Sequence, residues 1–267
     1  MKNTLLTVLM FTAINSVYAA EATPLQQIIA GEQRIEAHKA RDIYRHPQQT
    51  LDFFDVKSDM TVVEIWPGKS GWYTEILAPY LKDNGKLYAA HFAADASVEY
   101  FKKSLVGFNA KVKQQPDVYG KMELTVLQPP KDLNIAPDNS ADRVLTFRNV
   151  HNWMKNEQAA AVFTAMYKAL KKGGLLGVVE HRAVKDSVQD PKAISGYVTE
   201  AHVIKLAEQA GFELLEKSEI NANSKDNTEH SKGVWTLPPS LRLKEQDKEK
   251  YLAIGESDRM TLKFIKR

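Results

Sequence analysis

Apolar and polar positions alternate along the chain in two different rhythms. Asp59 precedes a β-branched run, Thr61-Val62-Val63, that continues through Glu64 and Ile65, and such a short apolar run predicts a buried strand. Gly68 and Gly71 interrupt it, and residues 72–81 carry apolar side chains at helical spacing. After the turn Asp83-Asn84-Gly85 a second strand is expected over 86–92, then a helix over 98–108 and a third strand over 122–127 that ends at Gln128-Pro129-Pro130. A fourth strand is expected over 141–147 and an alanine-rich amphipathic helix over 156–170, closed by Lys171, Lys172 and Gly173. The continuous apolar run 175–180 reads as a fifth strand. A helix over 199–210 is capped by Thr199 and stopped by Gly211, and strands are expected over 212–220 and 260–265. Strands alternating with helices mean a parallel sheet with helices on both faces.

The flanks read differently. Residues 24–44 are polar and helix-favouring, with Pro24 in a first turn and Pro47 at the end. They suggest a solvated helix lying across the domain, or a lid over a cleft; Arg45 and His46 stand close to the first strand. Before them, Lys2, the apolar stretch 5–14 and Val17-Tyr18-Ala19 form a secretory signal peptide, cut after Ala19. The organisation expected is therefore 1–19 signal peptide, 20–50 N-terminal helical segment and 51–267 one α/β domain, in a periplasmic or secreted protein. The apolar stretch is too short to span a bilayer, so no membrane contact is expected after cleavage.

The chain has 267 residues and a formal charge of +3, which becomes +2 without Lys2. No basic block interleaved with aromatics points to nucleic acid. The absence of cysteine excludes disulfides, thiolate metal sites, cysteine nucleophiles and a lipoprotein anchor.

Glu64-Ile65-Trp66-Pro67-Gly68 with Gly71 places an acid at the end of a strand and a glycine-bearing turn before a helix. Glycine lets the backbone approach a ligand with φ > 0, and the helix offers free N–H groups. This stretch resembles motif I of the class I S-adenosylmethionine-dependent methyltransferases. It is similar to a group of bacterial exported predicted methyltransferases with Glu-Ile-Trp-Pro-Gly at this point. Trp66 and Pro67 replace the glycine and small residue of most of the superfamily. Leu170-Lys171-Lys172-Gly173-Gly174-Leu175-Leu176 resembles a second landmark, as does a final strand without a preceding long helix. The resemblance implies a Rossmann-like seven-stranded sheet of the class I methyltransferase type, with the last strand antiparallel beside the fifth. It also implies S-adenosylmethionine as cofactor, with Glu64, Trp66, Pro67, Gly68 and Gly71 around its methionine part. An acid usually holds the ribose at the end of the second strand; here His91 stands there, with Asp95 just beyond.

Ligands of open α/β sheets bind beyond the carboxyl ends of the strands. Two further clusters fall there, Arg148-Asn149-Val150-His151-Asn152-Trp153 and Glu180-His181-Arg182. Arg148 and Asn149 are candidates for the cofactor. His151 is a candidate base, with Asn152 orienting and Trp153 stacking on a substrate; a helix-entry loop whose asparagines cap and whose tryptophan packs is the alternative. His181 is a second base candidate, and Glu180 forms an ion pair or joins the chemistry. Trp235, in the long loop 221–239, is a candidate substrate cover or a packing flap. Residues 242–250 read as a solvated helix face.

The function expected is methyl transfer from S-adenosylmethionine to an unidentified small molecule. Two alternatives are an exported non-catalytic small-molecule-binding protein on the same fold, and a metal-dependent hydrolase using His151, His181 and Glu180. No histidine–carboxylate spacing here matches a known metal motif.

Overall fold

The computed structural model describes residues 22–267. The expected signal peptide lies outside the described residues. Seven strands form one sheet: β1 (Thr61–Ile65), β2 (Lys86–His91), β3 (Glu123–Val126), β4 (Ala141–Phe147), β5 (Leu170–His181), β6 (Phe212–Ser218) and β7 (Arg259–Lys266). Their order is β3-β2-β1-β4-β5-β7-β6. The first five are parallel neighbours, and β7 runs antiparallel between β5 and β6, the placement expected of the last strand.

Parallel strands covered on both faces are rich in apolar side chains, and β1 and β4 carry Val62-Val63 and Val144-Leu145 at their centres. Alternate residues feed two cores. Val63, Val144 and Val178 join Trp153, Phe163 and Phe264, while Val62, Leu145 and Val179 join Leu51, Phe54, Ile76 and Phe147. Gly177 in β5 is required by this packing. A Cβ there would lie 2.8 Å from Leu145 Cδ2 and from the Phe54 ring.

The helices depart from the expected spans in informative ways. The first, residues 24–44, is three pieces, α1 (Pro24–Ala30), α2 (Glu36–Lys39) and α3 (Asp42–Arg45), followed by α4 (Pro47–Phe53). Nor is the segment a solvated face. Arg34 is 1% exposed, donates to both carboxylate oxygens of Asp42 at 2.7 and 2.6 Å, and lies 3.9 Å from Glu75. Glu75, on α5 (Thr74–Leu81), also binds His38 at 2.8 Å and Lys111, so a buried carboxylate fastens the N-terminal helices to the motif helix. After β2 come α6 (Glu99–Gln114), longer than expected, and α7 (Pro116–Tyr119).

The expected helix 156–170 is α9 (Ala159–Ala169), preceded by a short helix α8 (Val150–Lys155) that was not expected, and the lysines after α9 belong to an extended start of β5. Helix α10 (Glu200–Gln209) is capped by the Thr199 hydroxyl, as expected. The loop after β6 is ordered. Asn221 donates to Thr50 and Thr261, both at 3.0 Å, before a 3₁₀ turn (Gly233–Thr236) and α11 (Lys248–Ile254).

Candidate active site at the carboxyl ends of the strands

Beyond β1 and β4 lies a small cavity of about 40 Å³, lined by Arg45, Glu64, Trp66, Pro67, Tyr73 and Arg148, among others. Glu64 is 2% exposed. It accepts from the Thr74 hydroxyl at 2.6 Å on one oxygen. Burial raises its pKa from 4.5 to about 7, against the pull of Thr74 and Lys111. An acid in this state carries a proton or meets a cation according to what occupies the cavity.

The loop after Glu64 is held in the left-handed region at Trp66 (φ 46°), Gly68 (φ 72°) and Gly71 (φ 55°). A Cβ at Gly68 would meet nothing within 4 Å, whereas one at Gly71 would strike Phe108 at 2.8 Å and Thr74 at 2.9 Å. Gly68 thus faces open space, where a ligand can approach the backbone, and Gly71 serves close packing.

Trp66 is the residue whose role the sequence left least visible. Continuing the pleat would place it on the face of Glu64; its positive φ turns the ring into the core of Val63 and Ile65. There the indole N–H donates to the Leu127 carbonyl at 2.8 Å, and the ring packs 4.7 Å from Phe92, 5.6 Å from Phe101 and 5.6 Å from Trp153. His91, 0% exposed, is sealed beside it. The Phe92 amide donates to His91 Nδ1 at 2.8 Å, so Nε2 carries the hydrogen and donates to the Gly68 carbonyl at 3.3 Å. Burial lowers the His91 pKa to about 4. The residue at the ribose position therefore fastens the loop instead of facing the cleft. Asp95 is apart from the cavity, exposed and paired with Lys131 at 2.9 Å.

The second cluster is assembled around Glu180, fully buried at the end of β5. One oxygen accepts from the amides of Val150 and His151 at the start of α8. The other accepts from the His181 amide at 2.8 Å and from His151 Nδ1 at 3.0 Å. With both Glu180 oxygens accepting from amides, His151 Nδ1 is the donor in their contact, and the lone pair of the neutral imidazole is then on Nε2. His181 lies alongside, ring centroids 5.4 Å apart, with Nδ1 bonded to the Ser257 hydroxyl. Burial, with His151 and Arg259 nearby, holds its pKa well below 6.5. Both histidines and Glu180 present ligand atoms within 4.8 Å of one another. However, the four hydrogen bonds on Glu180 fill the acceptor positions of a carboxylate, so a metal would have to displace them.

The remaining candidates divide. Trp235 joins the cluster, edge-on to His151 at 5.9 Å and covered by the Arg242 guanidinium at 4.5 Å. Asn152 lies half-buried on α8, one residue beyond His151. Asn149 spends its amide on the Ile65 carbonyl at 3.0 Å and the Thr146 hydroxyl at 3.2 Å, tying β4 to β1. Trp153 is corrected: it is 0% exposed, packed between Trp66 and Phe163, and has no face for a substrate. The helix begins at Val150, so three residues of turn carry Trp153 inward.

Tyr73, not singled out in the sequence, and Arg45, noted there only for its nearness to the first strand, complete the cavity wall. Tyr73 stacks on Phe147 at 3.6 Å, and Arg45, 3% exposed, lies 4.7 Å over the Trp72 ring. Arg259 and Glu256, 2% exposed each, stand behind. A larger recess of about 190 Å³, lined by Ala183, Gln189, Tyr197 and Thr199 among others, has its polar groups occupied. Gln189 accepts from Thr199 and Tyr197 donates to Asp226. It offers no candidate chemistry.

No protein-family model matches the chain, and no curated protein does. Solved structures do. A SAM-dependent methyltransferase from Aquifex aeolicus is 18% identical with a TM-score of 0.52, over 68% of this chain and 87% of that one. The [4+2]-cyclase SpnF is 14% identical with a TM-score of 0.55, over 91% of each chain. A putative sarcosine dimethylglycine methyltransferase from Galdieria sulphuraria is 11% identical with a TM-score of 0.53, over 85% of this chain and 86% of that one. With the strand order and the antiparallel β7, these likenesses make the fold that of the class I S-adenosylmethionine-dependent methyltransferases.

Proposed function

We propose that the protein is an S-adenosylmethionine-dependent methyltransferase acting on a small molecule. The observation that supports this most is the cavity beyond β1 and β4, where the buried acid Glu64 meets a loop whose Gly68 faces open space. These residues fit the amino-acid end of the cofactor: Glu64 offers an acceptor to its ammonium group, and Gly68 admits close backbone approach. The cofactor, when bound, supplies an electrophilic methyl group on a sulfonium. His151, oriented by Glu180, is the chain's base, with Nε2 to take the acceptor's proton; Trp235 covers it.

One observation favours a second reading, a binding protein that keeps the fold and performs no transfer. Small-molecule pockets typically enclose roughly 300 Å³ or more, and here Trp66, Phe92 and the sealed His91 fill the space over the end of β2. A nucleoside enters only if the Trp66 ring moves. The likeness to a [4+2]-cyclase is also a reminder that this fold carries more than one chemistry. Calorimetric titration with S-adenosylmethionine and S-adenosylhomocysteine separates the two readings. Saturable binding of either supports the methyltransferase; binding of free amino acids alone supports the second.

A further inference from the structure

Four guanidiniums converge beside this cavity, those of Arg41, Arg45, Arg148 and Arg259, and the carboxylate that answers them is Glu256. Arg41 donates to it at 2.6 Å and Arg45 at 3.3 Å, and Arg259 also pairs with it. Arg259 bonds further to the Tyr44 carbonyl at 3.0 Å. The Arg45 Nη1 and Arg259 Nε atoms are buried without a partner. The Arg148 guanidinium, held at a left-handed residue (φ 63°) on the cavity wall, makes no side-chain hydrogen bond or ion pair among the described residues. Burial and the neighbouring arginines hold Arg148 down to about 10 and Arg45 well below its usual range.

Four positive charges against one negative leave a surplus of three. Counting nearby Glu64 and Glu180 as ionised still leaves one. Uncompensated charge beside the buried Arg45 and Arg259 is strongly unfavourable, so the arrangement is that of a site completed by an anion. S-adenosylmethionine brings its own carboxylate to this cavity but does not discharge the surplus, because its sulfonium, ammonium and carboxylate sum to one positive charge. The donor groups select the anion further, toward a planar carboxylate. The guanidinium fork matches that group bidentately. The location is apt, because Arg148 stands three residues before His151, and His181 feels Arg259, Arg148 and Arg45.

We propose that this arginine cluster binds the carboxylate of a small organic acid, which is the methyl acceptor. The second clause rests on the methyltransferase reading; the first does not. Arg148 is the adaptable partner, half-buried and unpaired, and Arg45 is the fixed one.

The test uses the full chain, with acetate, benzoate and citrate as probes against chloride at constant ionic strength. Thermal midpoints of the wild type should rise by a few degrees with a carboxylate, and Arg148→Gln, which removes no existing pair, should lose most of that rise. No rise beyond chloride, or an equal rise in Arg148→Gln, overturns the site. S-adenosylmethionine is then titrated with and without the most effective acid. Mutual tightening by about 5-fold or more supports an anionic acceptor. Competition overturns it and assigns the arginines to the cofactor's own carboxylate. If carboxylates bind through Arg148 while S-adenosylmethionine never binds, the acid is a ligand of a binding protein, and it is the methyltransferase reading that fails.

Discussion

Replacing Glu64 by glutamine isolates the charge at the centre of the cavity. The side chain is 2% exposed and its one hydrogen bond, from the Thr74 hydroxyl, survives in the amide. Burial moves its pKa from 4.5 to about 7, and ionising it inside the fold at high pH therefore costs about 3 kcal/mol, at roughly 1.4 kcal/mol per pH unit. The sign follows from proton binding. Between these two values the folded state holds the proton and the unfolded chain does not, so this group's contribution is fully present at low pH and is lost as pH rises through about 7. His91 opposes it: its pKa is lowered from 6.5 to about 4, so the stability its burial allows is lost as pH falls through that window. The wild-type profile alone mixes the two effects, and the difference between wild type and Glu64→Gln separates them. Urea unfolding should show the variant gaining about 3 kcal/mol relative to the wild type between about pH 4.5 and about pH 8. A difference that does not change with pH would refute the buried, proton-holding Glu64.

Gly68→Val should fold with a loss of roughly 1–2 kcal/mol from its positive φ, because a Cβ there meets no atom within 4 Å. It should nevertheless lose S-adenosylmethionine binding; unchanged affinity removes Gly68 from the site. His151→Ala should lower kcat more than cofactor affinity, since the freed Glu180 still holds the α8 amides; a loss in affinity alone makes His151 a ligand contact. Trp66→Ala should cost about 3–5 kcal/mol of stability as a buried aromatic truncation and should speed nucleoside entry, read as a faster association rate in stopped flow. An unchanged rate means that Trp66 is no barrier. Protein recovered from the periplasm should begin at Ala20; an intact N-terminus contradicts the export signal.

The sheet was legible because its signals are local. A parallel strand buried on both faces writes itself as a short apolar stretch, and Val62-Val63 in β1, Val144-Leu145 in β4 and the second half of β5 did so. The antiparallel β7 came from resemblance, and the pairing with β5 and β6 agrees with it. What could not be read is set by single dihedral angles or by distant partners. Nothing in Glu-Ile-Trp-Pro-Gly announces that Trp66 takes a positive φ and crosses to the opposite core. Nor does it announce that His91 would face Gly68 rather than a ligand. For Trp153 stacking on a substrate and packing were both open until α8 began at Val150 and turned it inward. The Arg41–Glu256 and Arg45–Glu256 pairs join residues 215 and 211 positions apart, beyond any spacing argument. Glu180 read as an ion-pair partner or a participant in the chemistry; the structure makes it the clamp that joins β5 to α8 and orients His151.

The most direct measurement is calorimetric titration of the wild-type protein with S-adenosylmethionine at about pH 7, in two buffers of different ionisation enthalpy. If the ammonium end settles against Glu64, that carboxyl gives up its proton on binding, so the account predicts saturable binding whose heat differs between the buffers, and no such difference in Glu64→Gln. Absence of binding at roughly 1 mM ligand, or binding with the same proton release in the glutamine variant, would contradict a cofactor site at Glu64 and leave a methyltransferase fold put to another use.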